Sequence, residues 1–312
     1  MKKEIHTLKP FEGFKCIGKS CTTNCCIGWQ IDIDKKTLKK YKKAKGDFAE
    51  KLKSGVDFKN GRFLTCKKNG ENRCVFLNDE NLCEIIINLG ENYLCEVCRK
   101  HPRFYNEYKG FIEKGVGLAC ERAANMLIRS TDDLSICATV NMKKLNAWER
   151  EILTWREKFI RLSTDKNLNL KSRIDKIMDE IGVDKEALNR CEFAKIIEGF
   201  ESINPLWKEK FKDFKFDKCD FINGERYFEN ILVYFLFRHV PLAADGLDLK
   251  SRTLFSVLSV AIIYYDCKLN NDFSADNVVS SASKYSAETE YSDFNVNLLL
   301  DRLDEISLQI KD

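Results

Sequence analysis

Cysteine is concentrated in the first part of this chain: ten of the fourteen cysteines fall within the first 120 residues, and four lie in the eleven residues CIGKSCTTNCC. With 312 residues, the chain can bury a hydrophobic core without covalent staples. Its first residues, MKKEIHTLKPFEGFKC, lack the apolar segment and cleavage site of a secretory signal, so we expect a cytoplasmic location. In a reducing compartment, such cysteines are more often metal ligands, catalytic groups or buried side chains than disulfides.

The early and late cysteines differ in their spacing. The early ones are closely grouped, whereas the late ones are single and far apart, which is typical of ordinary packed or surface thiols. We therefore expect a functional site among the early group only. The early group is Cys16, Cys21, Cys25, Cys26, Cys66, Cys74, Cys83, Cys95, Cys98 and Cys120, and the late group is Cys137, Cys191, Cys219 and Cys267.

Charge is mild overall but uneven along the chain. The net charge is +4, which does not suggest a nucleic-acid-binding protein. Residues 1–60 alone carry fifteen lysines and seven acidic residues, a balance of +8. The run DKKTLKKYKKAK (Asp34–Lys45) predicts a solvated helix face, with a docking surface for an acidic partner as the alternative. No apolar run is long enough to cross a membrane, and LFSVLSVAIIYY (Leu254–Tyr265) predicts a buried helix.

The hydrophobic pattern changes near residue 140. Before it, short apolar runs alternate with turn signals such as KNGENR and LNDENL. After it, apolar residues recur at helical spacing, as in KKLNAWEREILTWREKFIRLS, and further helices are predicted at about 170–182, 185–203, 225–239, 251–268, 275–289 and 294–310. We therefore predict a mainly α protein. A cysteine-rich region of loops, short strands and short helices (1–140) would surround a metal site and pack on a helical region (141–312).

The spacing of the early cysteines is compatible with two kinds of metal site. A structural zinc site usually takes two close cysteine pairs, and Cys95 and Cys98 form one such pair. The adjacent Cys25 and Cys26, together with the excess of sulfurs, fit zinc less well than an iron–sulfur cluster, whose four thiolates converge from several loops. The candidate ligands are Cys16, Cys21, Cys25, Cys26, Cys74, Cys83, Cys98 and Cys120, and spacing alone does not choose among them.

Two common cofactor fingerprints are absent. The radical S-adenosylmethionine motif C-x₃-C-x₂-C would begin at Cys21 and Cys25 but would need a third cysteine where Gly28 stands. The dinucleotide motif G-x-G-x-x-G would begin at Gly115 but meets Cys120 in place of its last glycine. Neither cofactor can therefore be assigned from a local motif.

Four ordered segments give the chain a family resemblance. They are FKCIGKSCTTNCCIGWQIDIDKKTLKKY (Phe14–Tyr41), CVFLNDENLCEI (Cys74–Ile85), CRKHPRF (Cys98–Phe104) and LACERAANMLI (Leu118–Ile128). In this order they resemble the flagellin lysine-N-methylase family, which is related to proteins with CxxCxxCC-type zinc- or iron-chelating clusters. The later ENILVYFLFRHV also resembles the family. The fourth segment departs from the family's usual Ser-Cys-Pro-Glu-Ala-Ala, although it retains Cys120.

The resemblance implies transfer of a methyl group from S-adenosylmethionine to lysine side chains of flagellin, in an enzyme that carries a [4Fe–4S] cluster, with zinc as the alternative metal. Only a neutral lysine amine attacks a methyl group, so such an enzyme needs a base or a desolvated amine. Candidate catalytic residues near the first motif are Asp32, Asp34 and Tyr41. The simpler role for Asp34 is to cap the lysine-rich helix that follows it.

Three arginines are candidates for binding the carboxylate end of the cofactor, because a guanidinium pairs with a carboxylate in a bidentate fork. Arg99 and Arg103 flank His101 in the third segment. For the two arginines, a surface salt bridge is an equally reasonable role. His101 could tune or ligate a metal, but a histidine before a proline in a loop more often has a structural role. Arg238 stands among apolar residues, where a charge is costly to bury without a partner. The function alternative to an enzyme is a zinc- or iron-binding module that docks a protein partner.

Overall fold

The computed structural model describes residues 3–68, 70–132, 134, 142–183, 185–190 and 192–308. Helices predominate and short strands occur before residue 120, which confirms the predicted mainly α composition. Cys137 and Cys191 lie outside the described residues. Cys219 and Cys267 are buried free thiols, as expected for packed cysteines. Within the described part of the chain, no helix is both long and apolar enough to cross a membrane.

The chain forms two compact units. The boundaries between these units differ from the single boundary that we expected near residue 140. Unit 1 comprises Met1–Phe14 and Tyr105–Asp312, and unit 2 is Lys15–Phe104. The N-terminal segment joins unit 1 because strand β1 (Glu4–His6) pairs in parallel with β7 (Phe111–Val116). Such long-range strand pairing has no local signature in sequence. The cysteine-rich unit is therefore an insertion between two segments of the helical unit.

Unit 1 is a helical body with one small sheet. The sheet has the strand order β1, β7, β6, where β6 is Arg103–Glu107. Its helices are α5 (Glu121–Ile128), α6 (Ala147–Ser163), α7 (Leu170–Glu180), α8 (Lys185–Arg190), α9 (Phe193–Glu198), α10 (Pro205–Glu209), α11 (Glu225–His239), α12 (Gly246–Leu269), α13 (Ala275–Glu288) and α14 (Asp293–Ser307).

Helix α12 forms the centre of unit 1 and contains the predicted buried segment Leu254–Tyr265, every residue of which is buried. It packs against α11, α13 and α14. The helix predicted at 185–203 is instead two short helices, α8 and α9. The helix predicted in KKLNAWEREILTWREKFIRLS corresponds to α6, in which Ile152 and Phe159 are buried while Trp148 and Trp155 are only half-buried.

Unit 2 surrounds a separate core of aromatic, aliphatic and cysteine side chains. Its elements are α1 (Lys35–Lys42), α2 (Ala49–Ser54), β2 (Val56–Asp57), β3 (Arg62–Phe63), β4 (Thr65–Lys68), β5 (Glu71–Cys74), α3 (Glu84–Leu89) and α4 (Glu96–Lys100). The antiparallel pairs β2–β3 and β4–β5 are short hairpins. Cys74 and Cys95 are buried in this core, and Cys26, Cys83 and Cys98 pack against it.

Candidate metal centre

A tight turn brings Cys74 close to Cys83. The Asn78 side-chain oxygen accepts hydrogen bonds from the N–H groups of Glu80 and Leu82, at 3.0 and 2.8 Å. This Asx-type turn reverses the chain, and Leu77 then forms a bridge with Cys83. The Asn-Asp-Glu-Asn sequence therefore has a structural role: it places the two cysteines of CVFLNDENLC on adjacent segments.

Backbone pairing brings the Cys25–Cys26 pair next to Cys74. The N–H of Cys74 donates to the carbonyl oxygen of Cys26 at 2.8 Å, next to a bridge between Ile27 and Arg73. The two neighbouring thiols hydrogen-bond each other. This bond lowers the pKa of Cys25 to about 7, although burial opposes the shift, and the same bond together with burial raises the pKa of Cys26.

Cys95 and Cys98 form a second thiol pair at the start of α4, where Cys95 is the N-cap residue. A hydrogen bond from Cys98 lowers the pKa of Cys95, while the same bond and burial raise the pKa of Cys98. Each pair thus holds one sulfur toward the thiolate form, which is the form that binds metal. Cys83 is similarly the N-cap residue of α3, and burial raises its pKa.

Six sulfurs of unit 2 form a group in which each lies near at least one other member: those of Cys25, Cys26, Cys74, Cys83, Cys95 and Cys98. The exposed Cys66 also neighbours Cys74 but is not part of the unit 2 core. All six are free thiols. Soft thiolates in this number are the donor set that zinc and iron–sulfur clusters prefer. Among the described residues, however, no three His, Cys, Asp or Glu side chains have the geometry of a metal site. The six sulfurs therefore define a candidate centre by their chemistry and proximity.

Three of the predicted ligands are not among these six. Cys16 is exposed and its sulfur accepts a hydrogen bond from the Gly18 N–H at 3.4 Å. The Cys21 thiol donates to the carbonyl oxygen of Thr23 at 2.7 Å. Cys120 belongs to unit 1, where it is the N-cap residue of α5. Their roles as ligands stay predictions.

Helix α1 is clamped to the segment that precedes the second thiol pair. The Asp34 carboxylate caps α1 by accepting from the Thr37 N–H and also accepts from the Glu96 N–H, both at 2.9 Å. The Tyr41 hydroxyl donates to the carbonyl oxygen of Tyr93 at 2.5 Å. These contacts fix residues 93–96 against α1 and so orient the start of α4. The expected capping role of Asp34 is present in the structure.

The electrostatics of Asp34 and Tyr41 agree with structural roles. Partial burial by itself raises the pKa of Asp34, but the hydrogen bonds from Glu96 and Thr37 outweigh it and hold that pKa below its usual value. Tyr41 is fully buried, and burial, with a further contribution from the nearby cysteine sulfurs, raises its pKa. Tyr41 therefore stays protonated at neutral pH, and Asp34 is a weak base.

Replacing Asp34 with alanine should destabilise the protein by about 2 kcal/mol, because one carboxylate satisfies N–H groups at the starts of two helices. The stabilisation by the Asp34 carboxylate is present above the unfolded-state pKa of Asp34, near 3.8. It disappears as the pH falls through the lower pKa that Asp34 has in the folded state. Urea unfolding at neutral and acidic pH measures both effects. Asp32→Asn is the matched control, since Asp32 is exposed and should change stability by less than about 0.5 kcal/mol. Equal losses in the two variants would contradict the clamp.

The remaining predicted residues of unit 2 occupy its surface or its border. Ile31 and Ile33 point into the core, so Asp32 points outward, where its backbone forms a bridge with Arg62. Arg99 is exposed on α4. Arg103 is half-buried at the start of β6, and His101 is half-buried just before it. The cofactor role of Arg99 and Arg103 stays a prediction.

Arg238 belongs to a buried polar network in unit 1. Its guanidinium contacts the Glu290 carboxylate at 3.1 Å and donates to the Tyr234 hydroxyl at 2.7 Å. The Tyr234 hydroxyl also accepts from the N–H of Leu118, at 3.3 Å. A β-carbon at Gly117 would lie 2.2 Å from the Tyr291 hydroxyl oxygen and 2.8 Å from the Arg238 guanidinium, so a larger residue would require these side chains to shift. The second glycine of GVGLAC thus permits close packing beside Arg238.

One residue of the cysteine group and one residue of the network around Arg238 were not predicted from the sequence. Cys95 was not among the predicted ligands, although its C-x₂-C spacing with Cys98 was visible. Glu290, the buried partner of Arg238, follows α13 and has no motif of its own. The cost of burying Arg238 predicted that some carboxylate would pair with it, but could not say which.

The chain is thus a cysteine-rich protein with a candidate metal centre, and known proteins resemble it. Flagellar biosynthetic protein FliU of Salmonella muenchen is 27% identical over 147 residues, which are 43% of this chain and 83% of that protein. The lysine-N-methylases of Salmonella typhimurium and Salmonella choleraesuis are also 27% identical over 147 residues, which are 43% of this chain and 35% of each enzyme. The chain therefore matches about a third of the length of these two enzymes.

These similarities confirm the resemblance to the flagellin lysine-N-methylase family. No family model matches the chain, and no solved structure matches it.

Proposed function

We propose that this protein is an S-adenosylmethionine-dependent lysine N-methyltransferase that acts on flagellin and holds an iron–sulfur cluster in unit 2. The observation that carries the proposal is the convergence of five sulfurs on one core, with Cys25 hydrogen-bonded to Cys26 beside them, in a chain similar to lysine-N-methylases. The cluster ligands would come from these six cysteines: Cys25, Cys26, Cys74, Cys83, Cys95 and Cys98. A bound cluster would supply a Lewis-acidic iron or a structural anchor.

The sulfur chemistry of the site supports a cluster over a disulfide framework. All cysteines among the described residues are free, and six of them are neighbours. Metal binding would deprotonate both members of each thiol pair and remove the S–H donor that now joins them. A four-sulfur cluster needs only four of the six, so the two others would pack beside it.

The reaction itself requires a neutral lysine amine. The nitrogen lone pair forms a bond to the methyl carbon, the carbon–sulfur bond of the sulfonium breaks, and its electron pair stays on sulfur. The nitrogen then loses a proton. Among the three predicted bases, Asp32 is the one whose carboxylate accepts no hydrogen bond from the described residues, so we assign the proton-accepting role to Asp32. The carboxylate-binding roles predicted for Arg99, Arg103 and Arg238 stay predictions.

The alternative function is a zinc- or iron-binding module without catalytic activity. Anaerobic purification followed by metal and acid-labile sulfide analysis separates the two. We expect about four irons and four sulfides per chain, with a broad absorption band near ~400 nm. Zinc without sulfide would contradict the cluster and favour the binding module.

A further inference from the structure

We infer that the exposed face of α1 is a docking surface for an acidic segment of the protein substrate. This surface, the lysine face, consists of Lys35, Lys36, Lys39 and Lys42 on α1 together with Lys43, the C-cap residue directly after it. The inference rests on the proposed function, which supplies a protein substrate. It goes further because it assigns a recognition surface and the chemistry of what binds there.

The amphipathic pattern of α1 separates its two faces. Thr37 and Tyr41, one helical turn apart, are buried, and Ala44 just beyond the helix is buried on the same side. All five members of the lysine face are exposed. Because the buried residues occupy one side, the five ammonium groups share the other and form a continuous positive strip.

The lysine face lacks neutralising partners in the protein. Within the residues that the structure describes, no carboxylate lies within 4.0 Å of any of its ammonium groups. The nearby acids are used elsewhere: Asp34 caps α1, and Asp57 accepts from the N–H groups of Lys59 and Asn60. By contrast, Lys51 on α2 pairs with Glu84 at 2.6 Å. The positive strip is therefore available to an external anion.

Aromatic rings fix two lysines of the segment in place. The Lys42 ammonium lies 5.3 Å from the centroid of the Phe58 ring. The neighbouring Lys40 ammonium lies 3.6 Å from the Tyr93 ring centroid and donates to the Asn92 carbonyl oxygen at 2.8 Å. Cation–π contacts of this kind limit side-chain motion. Part of the ordering that an anionic partner would require is thus already present in the free protein.

The lysine face and the cysteine group belong to opposite sides of one helix. Tyr41, on the buried side, belongs to the same core as Cys95, and Cys83 and Cys98 pack against that core. An α-helix with its side chains is roughly 10 Å across, so a segment bound on the lysine face would pass near the cysteine group.

An acidic peptide tests this surface without any methyl transfer. The probe is fluorescein-labelled oligoglutamate of about ten residues, titrated with the full-length protein at low and at high salt. The variant replaces Lys35, Lys36, Lys39 and Lys43 with glutamine, and we expect at least about tenfold weaker binding. We also expect salt to weaken wild-type binding, since exposed charges are screened. The charge-matched control replaces Lys176, Lys212, Lys215 and Lys284, all exposed in unit 1, and should bind as wild type does.

Three outcomes would overturn the inference. They are equal affinity of the two quadruple variants, tighter binding to a ten-nucleotide oligothymidylate, and tighter binding to phosphatidylserine vesicles. The proposed function is tested apart from this, because methylation of a short neutral lysine peptide does not need the lysine face. Failure of oligoglutamate binding with intact peptide methylation would reject the docking surface alone. Binding without any methylation would reject the proposed function.

Discussion

Replacing Cys98 with serine should remove most of the bound iron and acid-labile sulfide, and should lower methyl transfer by at least about 100-fold. The Cys98 sulfur is hydrogen-bonded to Cys95 and interacts with the sulfurs of Cys74 and Cys83. A serine hydroxyl has nearly the same size but is a poor ligand for iron. Metal analysis, an absorption spectrum and an initial-rate assay on the same preparation measure the effect.

Cys66→Ser is the matched control for this experiment. Cys66 is also a free cysteine of unit 2 and neighbours Cys74, but it is exposed on β4 and is not part of the core that holds Cys74 and Cys95. We expect the Cys66 variant to keep its iron, its sulfide and its activity. Circular dichroism of both variants should match that of the wild type, which separates loss of metal from loss of fold. Full iron content in the Cys98 variant would contradict the assignment of Cys98 as a ligand.

Replacing Glu290 with glutamine should destabilise unit 1 by about 3 kcal/mol, because it leaves the charge of Arg238 without its partner. The Glu290 side chain is fully buried and also contacts His239 Nε2, at 2.7 Å. It accepts a hydrogen bond from Ser286 at 2.5 Å as well. Denaturant unfolding followed by circular dichroism measures the loss.

The loss should depend on pH in a defined direction. Burial by itself raises the pKa of Glu290, but Arg238 and His239 outweigh it and hold that pKa below the usual 4.5. The stabilisation is therefore present above about pH 4.5 and declines as the pH falls through the folded-state value, so the two proteins should converge in acid. Glu151→Gln, an exposed change on α6, is the control and should shift stability by less than about 0.5 kcal/mol. An equal effect at both positions would contradict the network.

Sequence predicted the helices of unit 1 well where their pattern was local. The apolar periodicity of α6 and the long apolar run in α12 are properties of contiguous residues, so they could be recognised without tertiary information. The same holds for Asp34, whose position before a lysine-rich helix predicted its cap. The division of 185–203 into two helices was not predicted, because its apolar spacing continues across the break.

The arrangement of the candidate site depended on contacts that sequence does not reveal. The backbone bond between Cys26 and Cys74 joins residues far apart in the chain, as does the bond from Glu96 to Asp34. The pairing of β1 with β7 likewise moved the unit boundary away from residue 140. Cysteine spacing could therefore predict a centre in the first part of the chain, but could not choose its members.

Methyl transfer to flagellin is the measurement that tests the central claim most directly. The anaerobically purified protein, with its iron and sulfide content determined, would be incubated with flagellin and S-adenosylmethionine carrying a trideuterated methyl group. Mass spectrometry of flagellin peptides would locate the label. We expect trideuteromethyl groups on lysine side chains, produced by the wild type and by Cys66→Ser but not by Cys98→Ser. Unlabelled flagellin lysines after incubation with the iron-loaded wild type would contradict the proposed function.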